Sequence, residues 1–225
     1  MPGGPKLVSW VVYPERQEKA PVVIVIHEIF GLTDWARGVA DELASEGFIA
    51  IAPDLLSGMG PKGGGTEELG TEVGKVIRAL TPEQVAARLD AVRAWGRGLA
   101  SARGTTGVVG FCWGGGASFN YAAAQPALDA AVVYYGAAPA DIAAYPRMNA
   151  PLLGHFGGDD ARVGATLPAA EAELKKLQKK YTFTSYAGAG HGFLRQQGAR
   201  DGANLKAAEQ SWAATVAFFK QTLEK

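Results

Sequence analysis

Val108 to Phe119 reads VVGFCWGGGASF. An apolar run enters Gly110, a cysteine follows two positions later, Gly114 follows two beyond that, and small residues then lead into a helical stretch. The pattern is G-x-C-x-G, the nucleophile elbow G-x-S-x-G with a thiol in place of the hydroxyl. Its glycines have a steric cause. The nucleophile occupies a strained strand-to-helix turn, and side chains two positions to either side would strike neighbouring backbone. The following helix aims its amino end at Cys112, which favours thiolate over thiol. A buried structural cysteine beside a glycine-rich turn is the bland alternative, and the strand and helix on either side weigh against it.

Outward from the elbow, strands and helices alternate. Val22 to Ile26 (VVIVI) is a β-branched run of the sort buried on both faces of a sheet, and Leu7 to Tyr13 reads as an outer strand. An amphipathic helix over Trp35 to Glu46 ends at Gly47, and Phe48 to Ala52 is the next strand. Residues 57–70 (SGMGPKGGGTEELG) predict a mobile loop over the carboxyl edge of the sheet. A helix starts at Pro82 after Thr81 and runs to about Leu99, followed by a strand over Thr106 to Gly110. Helix Gly114 to Ala124, strand Ala130 to Tyr135, strand Pro151 to Phe156, helix Leu167 to Lys179, strand Tyr181 to Tyr186 and a last helix from Gly202 to Leu223 complete the series. The alternation predicts one α/β domain over residues 1–225, with a mostly parallel central sheet and helices on both faces.

A cysteine nucleophile on such a sheet takes its base from a loop after the last strand and its acid from one strand earlier. AGAGHGF places His191 directly after the strand ending at Tyr186, and HFGGDDARV places two carboxylates after the strand ending at Phe156. Asp160 fits the G-x-x-D spacing from Gly157; Asp159 is the fallback and otherwise faces solvent or caps a turn. His191 lies in a glycine loop, a poor place for a packed core histidine. Glu28 sits at the carboxyl end of a buried strand, where a carboxylate must be paired or face a cleft. HEIFG lacks the second histidine of H-E-x-x-H, which excludes a zinc protease of that type. A site of His27, His155 and His191 is a remote metal alternative, and His155 reads instead as a packed residue beneath the acid loop.

The chain has 225 residues, 48% of them hydrophobic, enough for one substantial core. Lys plus Arg and Asp plus Glu number 22 each, so no net field draws nucleic acid or anionic lipid. One cysteine rules out an intramolecular disulfide. No secretory signal or apolar run of membrane-spanning length is visible, so the expected location is the cytoplasm, with an exported precursor as the alternative.

Taken together, IHEIFGLTDWARGVADELASEGFIAIAPDLLSG, GFCWGGG, GGDD and GHGFLR resemble the dienelactone hydrolase family, or carboxymethylenebutenolidases, over roughly residues 20–220. The resemblance implies an α/β-hydrolase fold and a cofactor-free, metal-free enzyme that cleaves the enol-lactone of a small dienelactone. It implies Cys112 as nucleophile, His191 as base and Asp160 as the acid that orients it. It also implies Glu28 as a carboxylate that holds and activates the thiol, Arg195 as that carboxylate's partner and a substrate-binding cation, and Tyr134 as a pocket tyrosine. The oxyanion falls between the backbone N–H groups of Ile29 and Trp113.

One segment departs from the family. Dienelactone-cleaving members carry a second arginine with a tyrosine four residues later, whereas this chain offers Lys62, Lys75 and Arg78 without R-x-x-x-Y. A pocket walled by Trp113, Trp35 and Phe193 would suit other small esters. The expected partner is therefore a small ester or lactone, acted on by a monomer or small homo-oligomer through an acyl-enzyme thioester. A short-chain carboxylesterase and an idle binding protein of the same fold are the rivals.

Overall fold

The computed structural model describes residues 6–225. Its centre is a seven-stranded sheet in the order β1-β3-β2-β4-β5-β6-β7. The strands are β1 (Ser9–Val12), β2 (Ala20–Ile26), β3 (Ile49–Pro53), β4 (Ala102–Phe111), β5 (Ala130–Tyr134), β6 (Leu152–Gly157) and β7 (Tyr181–Tyr186). Only β1 is antiparallel to its neighbour; every other pairing is parallel.

The β-branched run in β2 explains its central place. Val22, Ile24 and Ile26 enter one apolar layer and Val23 and Val25 the other, and none of these side chains is exposed. Side chains alternate across a strand, so a strand apolar at every position needs cover on both faces. One face is covered by helix α1 (Asp34–Ser45), through Val39 and Leu43, and by α8 (Ala203–Leu223), through Phe219 and Leu223. The other is covered by α4 (Pro82–Arg97), α5 (Trp113–Ala124) and α7 (Leu167–Lys176), through Leu89, Phe119 and Leu174. Each fully buried Val or Ile contributes about 1.5–3 kcal/mol. The start of α4 is fixed by a capping box: the Gln84 amide N–H donates to the Thr81 hydroxyl, while the Thr81 N–H donates to the Gln84 side chain.

The glycine-rich loop differs from the sequence expectation. Thr66–Leu69 forms a short helix, α2, followed by α3 (Val73–Ala79). Asp54, just beyond β3, accepts from the Thr66 amide at 2.7 Å and from its hydroxyl at 2.8 Å, and Glu68 accepts from the Lys62 and Gly64 amides. Two carboxylates thus tie down a segment whose composition suggested mobility. No helix among the described residues is long and apolar enough to cross a membrane.

Candidate active site

Parallel strands deliver their carboxyl ends to one edge, and the chemistry-bearing residues follow directly: Glu28 after β2, Cys112 after β4, Asp160 after β6 and His191 after β7. Cys112 has φ +56 and ψ −115, an unfavourable conformation for a side chain with a Cβ that costs roughly 1–3 kcal/mol. The surroundings hold it there. Its N–H donates to the Tyr134 carbonyl at 3.0 Å, and its own carbonyl accepts from Gly115 and Gly116 at the start of α5. A Cβ on Gly110 would lie 1.9 Å from the Gly114 carbonyl oxygen, and one on Gly114 would lie 2.4 Å from the His27 carbonyl oxygen. Only hydrogen fits where helix, strand and elbow meet.

His191 Nε2 is 3.1 Å from Cys112 Sγ, and its Nδ1 is 2.6 Å from Asp160 Oδ2. The carboxylate is buried, while the imidazole keeps about a third of its surface exposed at 33%. Asp160 also caps α6 (Ala161–Gly164), accepting from the Val163 amide at 3.3 Å. The bonds from His191 to Cys112 and to Asp160 outweigh partial burial and raise its pKa. Asp159, the alternative acid, instead makes an exposed ion pair with Arg200 at 3.1 Å.

A residue that the sequence did not single out steadies this loop. Asn204, buried in the first turn of α8, accepts from the Gly190 amide at 3.0 Å and donates to the Gln196 carbonyl at 2.8 Å, bracketing His191. Its only signal in the sequence is an amide at a position that the helix turns inward.

The amides of Ile29 and Trp113 donate to no acceptor among the described residues, and both residues line the same cleft as Cys112. Two unengaged N–H groups beside a thiol can hold an oxyanion. Glu28 is buried and accepts from Arg195 Nε at 2.6 Å. Burial raises its pKa, while the charge and hydrogen bond of Arg195 oppose the rise. The guanidinium also lies over the Phe30 ring, 5.1 Å from its centre.

Three expected pocket residues lie elsewhere. Tyr134 ends β5 fully buried, with its hydroxyl 2.7 Å from Thr215 Oγ1 on α8. The next residue, Tyr135, has φ +39; it is among the residues bordering the cleft, and its fully buried ring packs edge-on against His191 with centroids 5.3 Å apart. Phe193 is buried among Tyr134, Tyr135 and Tyr186, and Trp35 packs edge-on against Phe111, so neither forms a wall. His155 is a packed core residue, bonded to Tyr186 Oη and Thr215 Oγ1. Among the described residues no group of three or more His, Cys, Asp or Glu side chains is placed to hold a metal ion.

The cleft measures about 740 Å³. It runs from Cys112 and Trp113 along Gly116, Ala117, Asn120 and Tyr121 of α5, two turns or about 12 Å. Leu80, Pro82, Val85 and Ala86 form its apolar side, and Arg78 and Arg162 line it as cations.

The parallel sheet, the strained turn into α5 and the side chains gathered at the strand ends define an α/β-hydrolase fold. The match to solved structures agrees: the chain superposes on a provisionally named dienelactone hydrolase from Klebsiella pneumoniae with a TM-score of 0.83 and 28% identity, covering 96% of this chain and 93% of that one. The family model for dienelactone hydrolases matches residues 8–223, and the chain belongs to the dienelactone hydrolase family. Among its relatives, a provisionally named carboxymethylenebutenolidase of Escherichia coli K12 is 33% identical over 97% of this chain and 83% of its own length. A protein of Saccharolobus solfataricus with the same provisional name is 30% identical over 97% and 95%.

Proposed function

We propose that the chain hydrolyses small carboxylic esters or lactones through a thioester on Cys112. The observation that carries this reading is the continuous bonding from Sγ to His191 at 3.1 Å and on to Asp160 at 2.6 Å, on a strained turn at a helix amino end. His191 takes the thiol proton, and the thiolate attacks the carbonyl carbon. The negative oxygen is held by the Ile29 and Trp113 amides. Collapse expels the alcohol or enol oxygen, which takes its proton from His191, and leaves the acyl group on sulfur. His191 then deprotonates a water, which attacks the thioester and frees the acid and the thiol. Asp160 keeps the imidazole in the required tautomer. Glu28, raised in pKa by burial and coupled electrostatically to His191, assists in generating the thiolate, and Arg195 holds it in place.

Two features of the cleft bear on the substrate. Arg78 lines it together with Cys112, so a cation is available to a carboxylated dienelactone without the R-x-x-x-Y spacing. The length and apolar side of the cleft favour a second reading, a carboxylesterase taking larger acyl or aryl groups. Measuring kcat/KM for a dienelactone and a short-chain aryl ester, on wild type and Cys112→Ser, separates the two. Preference for the dienelactone supports the lactonase, and preference for the aryl ester supports the esterase. Turnover indifferent to Cys112 overturns both, and no turnover of either leaves a binding protein.

A further inference from the structure

His27 precedes Glu28 and Ile29 in HEIFG and has no part in the scheme above. It is fully buried. Its Nδ1 lies 2.9 Å from the Glu28 carbonyl oxygen, its Nε2 lies 3.2 Å from the Leu55 amide nitrogen, and its ring stacks on the Trp113 indole at 5.9 Å with planes 16° apart.

These partners settle where its proton resides. A carbonyl oxygen only accepts, so Nδ1 carries the hydrogen; an amide N–H only donates, so Nε2 is bare. A charged ring would turn a second N–H against that of Leu55, and burial also disfavours the charge.

The bond to the Glu28 carbonyl has a consequence one atom further along. A trans peptide is planar, and its C=O and N–H point in opposite directions. The Glu28 carbonyl accepts from His27 and also from the Gly31 amide at 3.1 Å, so its direction is set twice. The Ile29 N–H belongs to the same peptide unit, so its direction is set as well. The same imidazole lies against Trp113, which supplies the second unengaged amide. One neutral ring thus bonds the peptide that carries the first amide and stacks on the side chain of the residue that carries the second. Donors aimed before reaction need no reorganisation during it, which is the source of their catalytic value.

We infer that His27 is a positioning residue of the oxyanion hole, fixing the Glu28–Ile29 peptide through Nδ1 and bracing Trp113 with its ring. The inference rests on the cysteine-hydrolase reading and adds a residue to it. A purely structural clip between β2 and the segment after β3 would use the same atoms, so the two ring nitrogens must be tested separately. In His27→Asn the side-chain amide reaches about the Nδ1 position and can still donate to the Glu28 carbonyl. In His27→Gln the amide reaches about the Nε2 position and can still accept from Leu55. Each variant keeps one of the two bonds.

The measurements are the pre-steady-state acylation rate with an aryl ester and the alkylation rate with iodoacetamide, which consumes the thiolate without forming an oxyanion. His27→Gln should acylate about 100-fold more slowly with KM little changed, and His27→Asn should recover most of that loss. Alkylation should stay within about twofold in both, because the thiolate is generated elsewhere. Equal losses in the two variants, full acylation in both, or alkylation falling in step would each overturn the inference. Imidazole nitrogen spectra of the wild-type protein give a check that does not depend on the variants folding. His27 should be the Nδ1–H tautomer and should not titrate across roughly pH 5 to 8, and an Nε2–H tautomer or a titration there would overturn the inference. Cys112→Ala separates the two levels. Acylation that persists without the thiol overturns the hydrolase reading, whereas thiol-dependent acylation indifferent to His27 overturns only the role given to His27.

Discussion

His191, in the turn after β7, and His155, within β6, end up in opposite electrostatic settings at the same end of the sheet. Both are followed or preceded closely by a parallel strand end, and both are bonded through both ring nitrogens. His191 has a carboxylate on one side and a thiol on the other, with a third of its side chain exposed at 33%, and its pKa is raised. His155 has two hydroxyls and no exposure, and burial pushes it down to about 3. An imidazole becomes a base when an anion fixes its tautomer and stabilises its charge. Given hydroxyls and a dry core, the same ring is a neutral fastener.

The two therefore pull stability in opposite directions with pH. The raised pKa of His191 contributes stability below its ordinary value of 6.5, and this is lost as pH rises through the raised value. His155 is depressed, so the unfolded chain binds the proton first and native stability falls as pH drops from 6.5 towards about 3.

Breaking the side of this contrast to which the proposed mechanism assigns catalysis should have the largest effect. His191→Ala should reduce kcat/KM by about 10⁵-fold and Asp160→Asn by about 10⁴-fold, measured with an aryl ester, with little change in folding. Removing the anion should also move the acid limb of the pH–rate profile to lower pH, since Asp160 helps to hold the His191 pKa up. Asn204→Ala should cost roughly tenfold in kcat and about 2 kcal/mol of stability, because it strands the buried Gly190 amide and loosens the loop carrying His191 without touching the ring. His155→Leu should leave kcat/KM within about twofold but lower stability by about 2 kcal/mol, roughly 5 °C in Tm, by stranding the Tyr186 hydroxyl. The same variant should flatten the loss of stability between pH 6.5 and 3, seen in chemical denaturation at several pH values. Tyr134→Phe should give the smallest change, about 1 kcal/mol with activity unaltered, because its hydroxyl serves Thr215 and not the cleft.

That Cys112, Asp160 and His191 meet at one edge of the sheet is legible in the sequence because local sterics and strand order constrain their placement. A cysteine on this strained turn requires Gly110 and Gly114, and a parallel sheet delivers the residues after β6 and β7 to the same edge. Tyr134 lies away from the cleft because which of two adjacent tyrosines borders it depends on the positive φ of Tyr135, and no composition rule supplies that angle. The loop of residues 57–70 read as mobile because glycine content shows in a sequence, whereas the hold that Asp54 and Glu68 exert on it comes from folded geometry. Asn204 was missed for the same reason: it serves a glycine fourteen residues away in sequence, across a turn.

The contacts at Gly110 and Gly114 also set limits on how this protein can diverge. At either position the smallest added side chain would meet a backbone oxygen, at 1.9 Å and 2.4 Å, which no rotamer change relieves. A library of random variants selected for new substrates should therefore recover almost nothing at those two codons. Accepted changes should gather instead on the apolar side of the cleft, at Leu80, Val85 and Ala86, away from the tight turn.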